Sequence, residues 1–534
     1  MAALTSAALK FTVRRQPAVL VAPAAPTPRE LKLLSDIDDQ DGLRFQVPAI
    51  FFYRRNASTD GRDPARVIRD AVARALVHYY PLAGRLRELE GRKLAVDCTG
   101  EGLLFLEADA DVCLEQFGDA LHPPFPCFDE LLFDVTRLTC GGFVLAVRLN
   151  HTMADGHGLF QFLIAVSELA RGAAAPTVLP VWARELLEAR NPPRPSFTHR
   201  EYDEDAIVPG PIDNDDAELA QRSFFFGPRE ITAIRVQLPP HLRNCATTFE
   251  LIGASLWKYR TMALSPDADE ETRIILATSA DRGGKAGVGL LRLPDGYYGN
   301  TIVGPVAVST TGELCKSPLG YAVELVRKAK AQAKDAEYAR SVVDLMALRG
   351  RPPLAPGRHG FILSDLTKLG RFTDLDYGWG RPVYAPAAKE VGVLSFLGPL
   401  TIAKGVDGVV APMCLPGPAM DRFVEEMGYR RLFKTVALNQ QAAYVRAIQR
   451  SPEQTPQNGD GRVPVPSRGP CNETHPKESY CSYLDVHGAR GCSWWFAREY
   501  QRRVVATGTA HCQLRELSSE DSGLRTAAPA HLSP

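Results

Sequence analysis

Within the run Asn150-His151-Thr152-Met153-Ala154-Asp155-Gly156, a histidine and an aspartate stand four residues apart. An imidazole that titrates near neutrality is the side chain best suited to take a proton from an alcohol. Ahead of it, Phe143, Leu145, Val147 and Leu149 fall on one face of an alternating segment, which predicts a strand. Behind it, residues 159–169 carry apolar groups at roughly helical spacing. A histidine at a strand end, followed by a turn and a helix, is held rigidly with its ring facing a cleft. Asp155 has two roles open to it: orienting the His151 ring, or fixing the turn that presents it. As metal ligands the pair would need a third partner that the neighbourhood does not supply, so no metal is expected. His157, on the expected first helical turn, reads as a solvated or core histidine rather than a second base. An H-x-x-x-D spacing recurs by chance, so its surroundings have to carry the inference.

The elements that must position this pair are partly legible. Asp63 is a cap, Pro64 suits a first helical position, and Val67, Ile68, Val72, Leu76 and Tyr79 form one apolar face of a helix ending near Tyr80-Pro81. Strands are expected at 93–96 and 102–106, then at 143–149, and the helix after His151 stops near Arg171-Gly172. From 173 to about 216 the prolines at 176, 180, 192, 193, 195, 209 and 211 rule out long regular structure, and this stretch reads as a crossover linker. A second half follows, with a strand at 222–226, a helix at 230–237, a helix at 249–262 capped by Thr247 or Thr248, a buried strand at 274–280, and helices at 323–332 and 420–427. The expected organisation is therefore a first domain over 1–175 bearing the histidine, a linker over 176–216, and a second domain over 217–428. Residues 429–534 change character: 451–480 are rich in Pro, Asn, Gly, Ser and Glu, and 429–534 as a whole holds isolated apolar pairs and four cysteines. This reads as an atypical tail, disordered or lying past the end of the genuine reading frame.

Composition narrows the function. A chain of 534 residues allows roughly two to four domains, and an apolar content of 45% supports a sizeable core. The formal net charge of zero favours neither nucleic acid nor an anionic membrane. No run of about 18 apolar residues would span a bilayer, and the first residues, followed by Lys10, Arg14 and Arg15, do not read as a signal peptide. The eleven cysteines are scattered with no C-x-x-C pair, which argues for reduced thiols in the cytosol and against zinc. A glycan on the sequon Asn150-His151-Thr152 would block the histidine, which points the same way. The glycines at 283–289 lack the order of a phosphate-binding P-loop, and no G-x-S-x-G elbow occurs.

Three further motifs flank the histidine in order: Tyr79-Tyr80-Pro81-Leu82-Ala83-Gly84-Arg85, Gly296-Tyr297-Tyr298-Gly299-Asn300, and Asp376-Tyr377-Gly378-Trp379-Gly380-Arg381-Pro382. Together these resemble the plant BAHD acyltransferase family, with Tyr377 standing where that family's D-F-G-W-G motif has phenylalanine. The likeness covers about residues 1–428. The opening Leu34-Ser35-Asp36-Ile37-Asp38-Asp39-Gln40, the segment Ser364-Asp365-Leu366-Thr367 and the ending Met413-Cys414-Leu415-Pro416-Gly417-Pro418-Ala419-Met420 are most similar to its benzyl alcohol O-benzoyltransferase group.

The resemblance implies an α/β fold of two chloramphenicol-acetyltransferase-like domains, each a mixed β-sheet with helices, and a tunnel at their interface. It implies acyl-CoA as co-substrate, no tightly bound cofactor, a small alcohol acceptor and a cytoplasmic monomer. His151 would be the general base in a ternary complex. Asp155 would turn away from it to pair with Arg282, and Asp376, Gly378, Trp379 and Gly380 would form a structural loop. For the CoA phosphates, Thr247, Thr248 and Lys258 by the second-half helix are candidate contacts, as is Arg282 where it is not paired. Two other readings remain at this point: transfer to an amine by the same base chemistry, and a non-catalytic ligand-binding relative.

Overall fold

Two mixed sheets account for the order in which strands and helices alternate along the chain. The computed structural model describes residues 9–118, 121–125, 128–132, 134–204, 219–280, 293–367, 369, 374–385, 393–402 and 405–428. Its first half runs β1 (Val13–Arg15), β2 (Val19–Val21), β3 (Leu31–Leu33), β4 (Gln46–Tyr53), α1 (Pro64–His78), β5 (Arg85–Glu88), β6 (Leu94–Asp97), β7 (Leu103–Phe105), β8 (Glu107–Ala110), β9 (Val135–Leu138), β10 (Phe143–Asn150) and α2 (Gly156–Ala170). The second half runs β11 (Leu219–Phe226), α3 (Pro228–Arg235), α4 (Pro240–Arg243), α5 (Thr248–Leu264), β12 (Glu271–Ser279), β13 (Ile302–Val303), β14 (Val306–Thr310), α6 (Thr311–Lys316), α7 (Leu319–Gln332), α8 (Ala336–Arg349), β15 (Phe361–Asp365), β16 (Leu394–Ile402), β17 (Val406–Pro416) and α9 (Gly417–Glu426). The first sheet has the order β1-β8-β9-β10-β4, parallel only between β8 and β9. In the second, β11-β17-β16-β15-β12-β13 form the path and β14 also pairs with β12, with β15 parallel to both β12 and β16.

The strand that ends at the histidine is buried on both sides. Strand β10 pairs antiparallel with β4 from Phe143↔Tyr53 to Asn150↔Gln46. With a side-chain period of two, Ala49, Phe51, Tyr53, Phe143 and Leu145 face one way and pack against Ile68, Val72 and Leu76 of α1 and Phe160, Leu163 and Val166 of α2. Ile50, Phe52, Val144 and Ala146 face the other way and meet Phe225, Leu400 and Val410 of the second sheet. Burying each such side chain contributes about 1.5–3 kcal/mol. A one-residue slip of β10 would exchange both sets, so its register is strongly determined.

Both predicted helices flanking the first sheet form where their caps stand. Asp63 caps α1 by accepting from the backbone N–H groups of Ala65 and Arg66, and Asp155 caps α2 by accepting from Gly158. Thr247, rather than Thr248, caps α5 in a reciprocal box with Glu250. The proline-rich connection carries only two short 3₁₀ turns in its described part, Arg184–Leu187 and Arg200–Tyr202. Strand β4 and helix α8 lie outside the sequence-based expectations. The run Val47 to Tyr53 is apolar at nearly every position because both faces are buried, which removes the alternation that marks a strand. Residues 429–534, read as a tail, lie outside the described residues.

Asp63 does more than cap: both its carboxylate oxygens accept from Arg137 of β9, at 2.6 and 2.7 Å, locking α1 to the sheet. Asp63→Ala is expected to cost about 1–2 kcal/mol in urea unfolding. Asp63→Asn, which keeps a capping oxygen, should lose less.

Candidate active site

His151 follows the last ladder pair of β10, and its backbone N–H donates to the Phe45 carbonyl at 2.8 Å. The turn is closed by Asn150, whose side-chain oxygen accepts from the Thr152 N–H at 3.2 Å and the Thr152 hydroxyl at 2.8 Å. Such an Asx turn fixes the backbone that carries the imidazole. The Phe45 ring lies 5.7 Å from the imidazole, centroid to centroid, and the side chain of His151 is half-buried.

Among the described residues the imidazole is held through one nitrogen. Nδ1 lies 3.0 Å from Asn300 Oδ1. The amide orientation follows from its other end: Asn300 Nδ2 donates to the His151 carbonyl at 2.7 Å and to Asp38 Oδ1 at 2.9 Å, and both of those atoms are acceptors only. Asn300 therefore turns its oxygen to Nδ1, which must carry the proton. Nε2 is left with a lone pair, and no described residue bonds to it. Burial pulls the His151 pKa below the ordinary 6.5, while the negative charges of Asp155 and Asp38 and the bond to Asn300 push back. The ring is a neutral base at pH 7.

Asp155 faces the other way. Its Oδ1 accepts from the Gly158 N–H at 3.0 Å as the cap of α2. Its Oδ2 accepts from the Thr301 N–H at 3.2 Å, the Thr301 hydroxyl at 3.1 Å and the Ser279 hydroxyl at 3.5 Å. The side chain is buried and ties the helix after His151 to β12 and to the loop before β13. These bonds hold the turn and the start of α2 in place. Arg282, its expected partner, lies outside the described residues. His157 is half-buried with Nδ1 3.3 Å from the same Ser279 hydroxyl, away from the His151 ring contacts. At Gly158 the helix passes so close to the Tyr298 carbonyl that a Cβ would collide with it.

The aspartate motif forms a loop on the core of the first sheet. Asp376 Oδ1 accepts from the N–H groups of Gly378 at 2.7 Å and Gly380 at 2.8 Å, and both glycines have positive φ, 109° and 88°. Tyr377 is fully buried against Tyr53, and its extra hydroxyl donates to the Leu163 carbonyl at 3.4 Å. Trp379 meets Phe143 edge-on at 5.5 Å and lies under the Arg62 guanidinium. Although they sit late in the chain, Leu375, Tyr377 and Trp379 belong to the first core.

The proposed phosphate contacts fare differently. Lys258 is buried, and its ammonium donates to the carbonyls of Leu314, Cys315 and Ser317 at 2.6–2.8 Å, ending α6. All three of its N–H bonds are spent, so it has none for a phosphate, which corrects that expectation. Thr247 is exposed, but its hydroxyl oxygen accepts from the Glu250 N–H and from Lys330. Thr248 is half-buried on the first turn of α5.

Two residues at the centre were not singled out from sequence. Asp38 is buried, and Arg184 donates to its two oxygens at 2.8 and 3.0 Å. Arg184 also donates to the Met153 carbonyl at 2.8 Å and lies over the rings of Trp182, Tyr297 and Tyr298. Ser35 donates to Asp38 through its hydroxyl and its backbone N–H. Asp38 stood in a run already marked as distinctive; Arg184 stands in the proline-rich connection, 146 residues away, with no local signal.

The site thus presents an imidazole fixed at Nδ1, with the Nε2 lone pair free of any described partner. A family profile described as the Transferase family matches residues 10–429, and the chain belongs to this family, the BAHD acyltransferases. Curated relatives include a benzyl alcohol O-benzoyltransferase of Nicotiana tabacum, 54% identical over 79% of this chain and 94% of the relative, and one of Petunia hybrida, 52% identical over the same shares. Alcohol acyl transferase 1 allele GSa of Malus domestica is 51% identical over 78% of this chain and 93% of its own. Among solved structures, vinorine synthase superposes with a TM-score of 0.59 at 22% identity, covering 78% of this chain and 98% of its own, and so shares the fold.

Asp155→Asn would set an amide N–H₂ against donors from Gly158 or Thr301, an arrangement costing about 1–3 kcal/mol for each unsatisfied group. The variant is expected to lose soluble, folded protein together with activity, read by thermal unfolding. A well-folded but inactive Asp155→Asn would return Asp155 to an orienting role.

Proposed function

We propose that the chain transfers an acyl group from acyl-CoA to the hydroxyl of a small alcohol, with benzoyl-CoA or a similar donor and a benzyl alcohol-like acceptor. One observation carries this reading: the Asn300 bond to Nδ1 leaves the Nε2 lone pair of a neutral His151 as the only basic atom of the ring. The substrate classes are those for which the Nicotiana and Petunia relatives are named.

In this mechanism the alcohol donates its O–H proton to Nε2 as its oxygen attacks the thioester carbonyl. The tetrahedral oxyanion collapses, the C–S bond breaks, and the departing CoA thiolate takes the proton back from the imidazolium. The thioester is already activated, so no acyl-enzyme is needed. A positioned base of this kind contributes about 10²–10⁴-fold. The substrates meet in a passage between the two halves, with the enzyme working as a cytoplasmic monomer. For the location, the cysteines among the described residues are free thiols, which fits a reducing compartment. The domain limits proposed are 1–175, 176–216 and 217–428, with the aspartate loop of the second domain packed on the first.

His151→Ala is expected to lower kcat by about 10²–10⁴-fold while CoA binding by calorimetry persists; wild-type turnover would sink the mechanism. Because the folded pKa of His151 lies below 6.5, the neutral base survives into mild acid. The rate should be flat around pH 7 and fall only on the acid side of that value. A panel of acyl-CoAs crossed with alcohols and amines, read by product mass spectrometry, tests the acceptor class, and preference for amines would overturn it. A chain ending at Gly428 should keep wild-type kcat, since the family match ends at residue 429.

A further inference from the structure

We propose that Asp38 is the carboxylate partner of the base: acting through the Asn300 amide, it holds His151 in its Nδ1-protonated tautomer and steadies the imidazolium formed during transfer. The inference rests on His151 being the base and goes beyond it, since it assigns a positioning residue on a loop remote in sequence. The aspartate four residues after the histidine then holds the turn and its tie to the second half.

The geometry is a three-part relay. Asp38 Oδ1 accepts from Asn300 Nδ2 at 2.9 Å, and the oxygen of that same amide accepts from His151 Nδ1 at 3.0 Å. A carboxylate at the N–H end of an amide draws its hydrogens and enriches its oxygen, which strengthens the bond beyond it. The amide has no freedom to turn over. The Asn300 backbone N–H reaches the same Asp38 oxygen at 2.8 Å, and Nδ2 also serves the His151 carbonyl at 2.7 Å. A flipped amide would set its oxygen against a carboxylate and a carbonyl. Asp38 is fixed in turn by Ser35 and Arg184. At Gly299 a Cβ would collide with the Arg184 guanidinium, so the chain brings Asn300 to Asp38 by passing where only glycine fits.

Among the described residues the charges facing His151 are few. Asp155 stands on the following turn and Asp38 beyond Asn300, and both favour the protonated ring; Phe45 packs on it without charge. Arg184 sits on the far side of Asp38, where its charge offsets the cost of burying that carboxylate. Asp155 spends both oxygens on the backbone and hydroxyls of the turn and of the second half. Among the described residues, Asp38 is the acid that hydrogen bonds connect to the ring.

The test uses the full chain and three variants: Asp38→Asn, Asp38→Asn with Arg184→Met, and Asn300→Ala. Each is assayed with benzoyl-CoA and benzyl alcohol across about pH 5 to 9, with thermal unfolding alongside. Asp38→Asn alone leaves a buried arginine uncompensated and should lose stability. The double variant removes both charges and should regain stability without regaining rate. All three should lower kcat by about tenfold or more, leave the KM for acyl-CoA within about threefold, and move the acid limb to lower pH. Asn300→Ala keeps the Asp38–Arg184 pair intact, so it decides the matter if the other two fold poorly. Wild-type kcat with an unmoved acid limb in Asn300→Ala, or in a folded double variant, overturns the relay. His151→Ala separates the two readings. If it is inactive while the three variants run at the wild-type rate, only the relay falls; if it remains active, the base itself is wrong.

Discussion

A buried charge that must be answered organises the centre of this protein. Asp38 has no access to solvent, and an unpaired carboxylate there would cost several kcal/mol. Arg184 answers it, and to do so the proline-rich connection has to thread past Met153 and the rings of Tyr297 and Tyr298. The neighbouring acids repeat the device. Asp36 accepts from Lys93 at 2.8 Å and from the Ala189 N–H at 2.9 Å. Asp39, also buried, meets Arg44 at 2.7 Å, Arg351 at 2.9 Å and the Leu94 N–H at 3.2 Å. One short loop thereby gathers four distant stretches of chain, and each contact is directional. Apolar packing alone would hold these segments close without fixing their angles; hydrogen-bonded ion pairs fix both.

The apolar core supplies the complementary constraint. Strand β10 is clamped between α1 and α2 on one face and the second sheet on the other, so the position of its last residue is set by packing on two sides. The Asp376 loop adds a third element. Tyr53 donates to the Leu375 carbonyl at 3.0 Å and Ser167 to the Asp374 carbonyl at 3.1 Å, seating the loop on α2 and β4. A segment from late in the chain thus closes the core of the first sheet. The two halves cannot separate without opening that core, which explains how a base on one half keeps its register with an asparagine on the other.

What was legible in the sequence follows from the range of each interaction. Caps and periodicity are local, so α1 and α5 were readable from Asp63 and from Thr247 or Thr248, α2 from the helical spacing at 159–169 and β10 from the alternation at 143–149. Strand β4 lacked alternation because it is covered on both faces. At the site, His151 stood out by its place between an alternating segment and a helical one, and Asp376, expected in a structural loop, accepts from the N–H groups of Gly378 and Gly380. Lys258 misled, since a lysine near a helix resembles an anion ligand until its carbonyl partners, over 50 residues away, come into view. Arg184 carried no local signal at all, because its meaning lies wholly in residues that folding brings to it.

The separation of the two acids has a chemical rationale. A carboxylate bonded directly to the imidazole would stabilise the protonated ring and raise its pKa, leaving less neutral base at physiological pH. Burial acts in the opposite sense, and unopposed it would give a base too weak to hold the alcohol proton as the oxygen attacks. An amide between carboxylate and ring transmits part of the charge while remaining neutral itself. The departing thiolate, conjugate base of a thiol that is a weaker acid than an imidazolium, then recovers the proton readily from an imidazolium stabilised only in part. A thioester substrate needs no stronger base than that, and the arrangement of His151, Asn300 and Asp38 is suited to supply one.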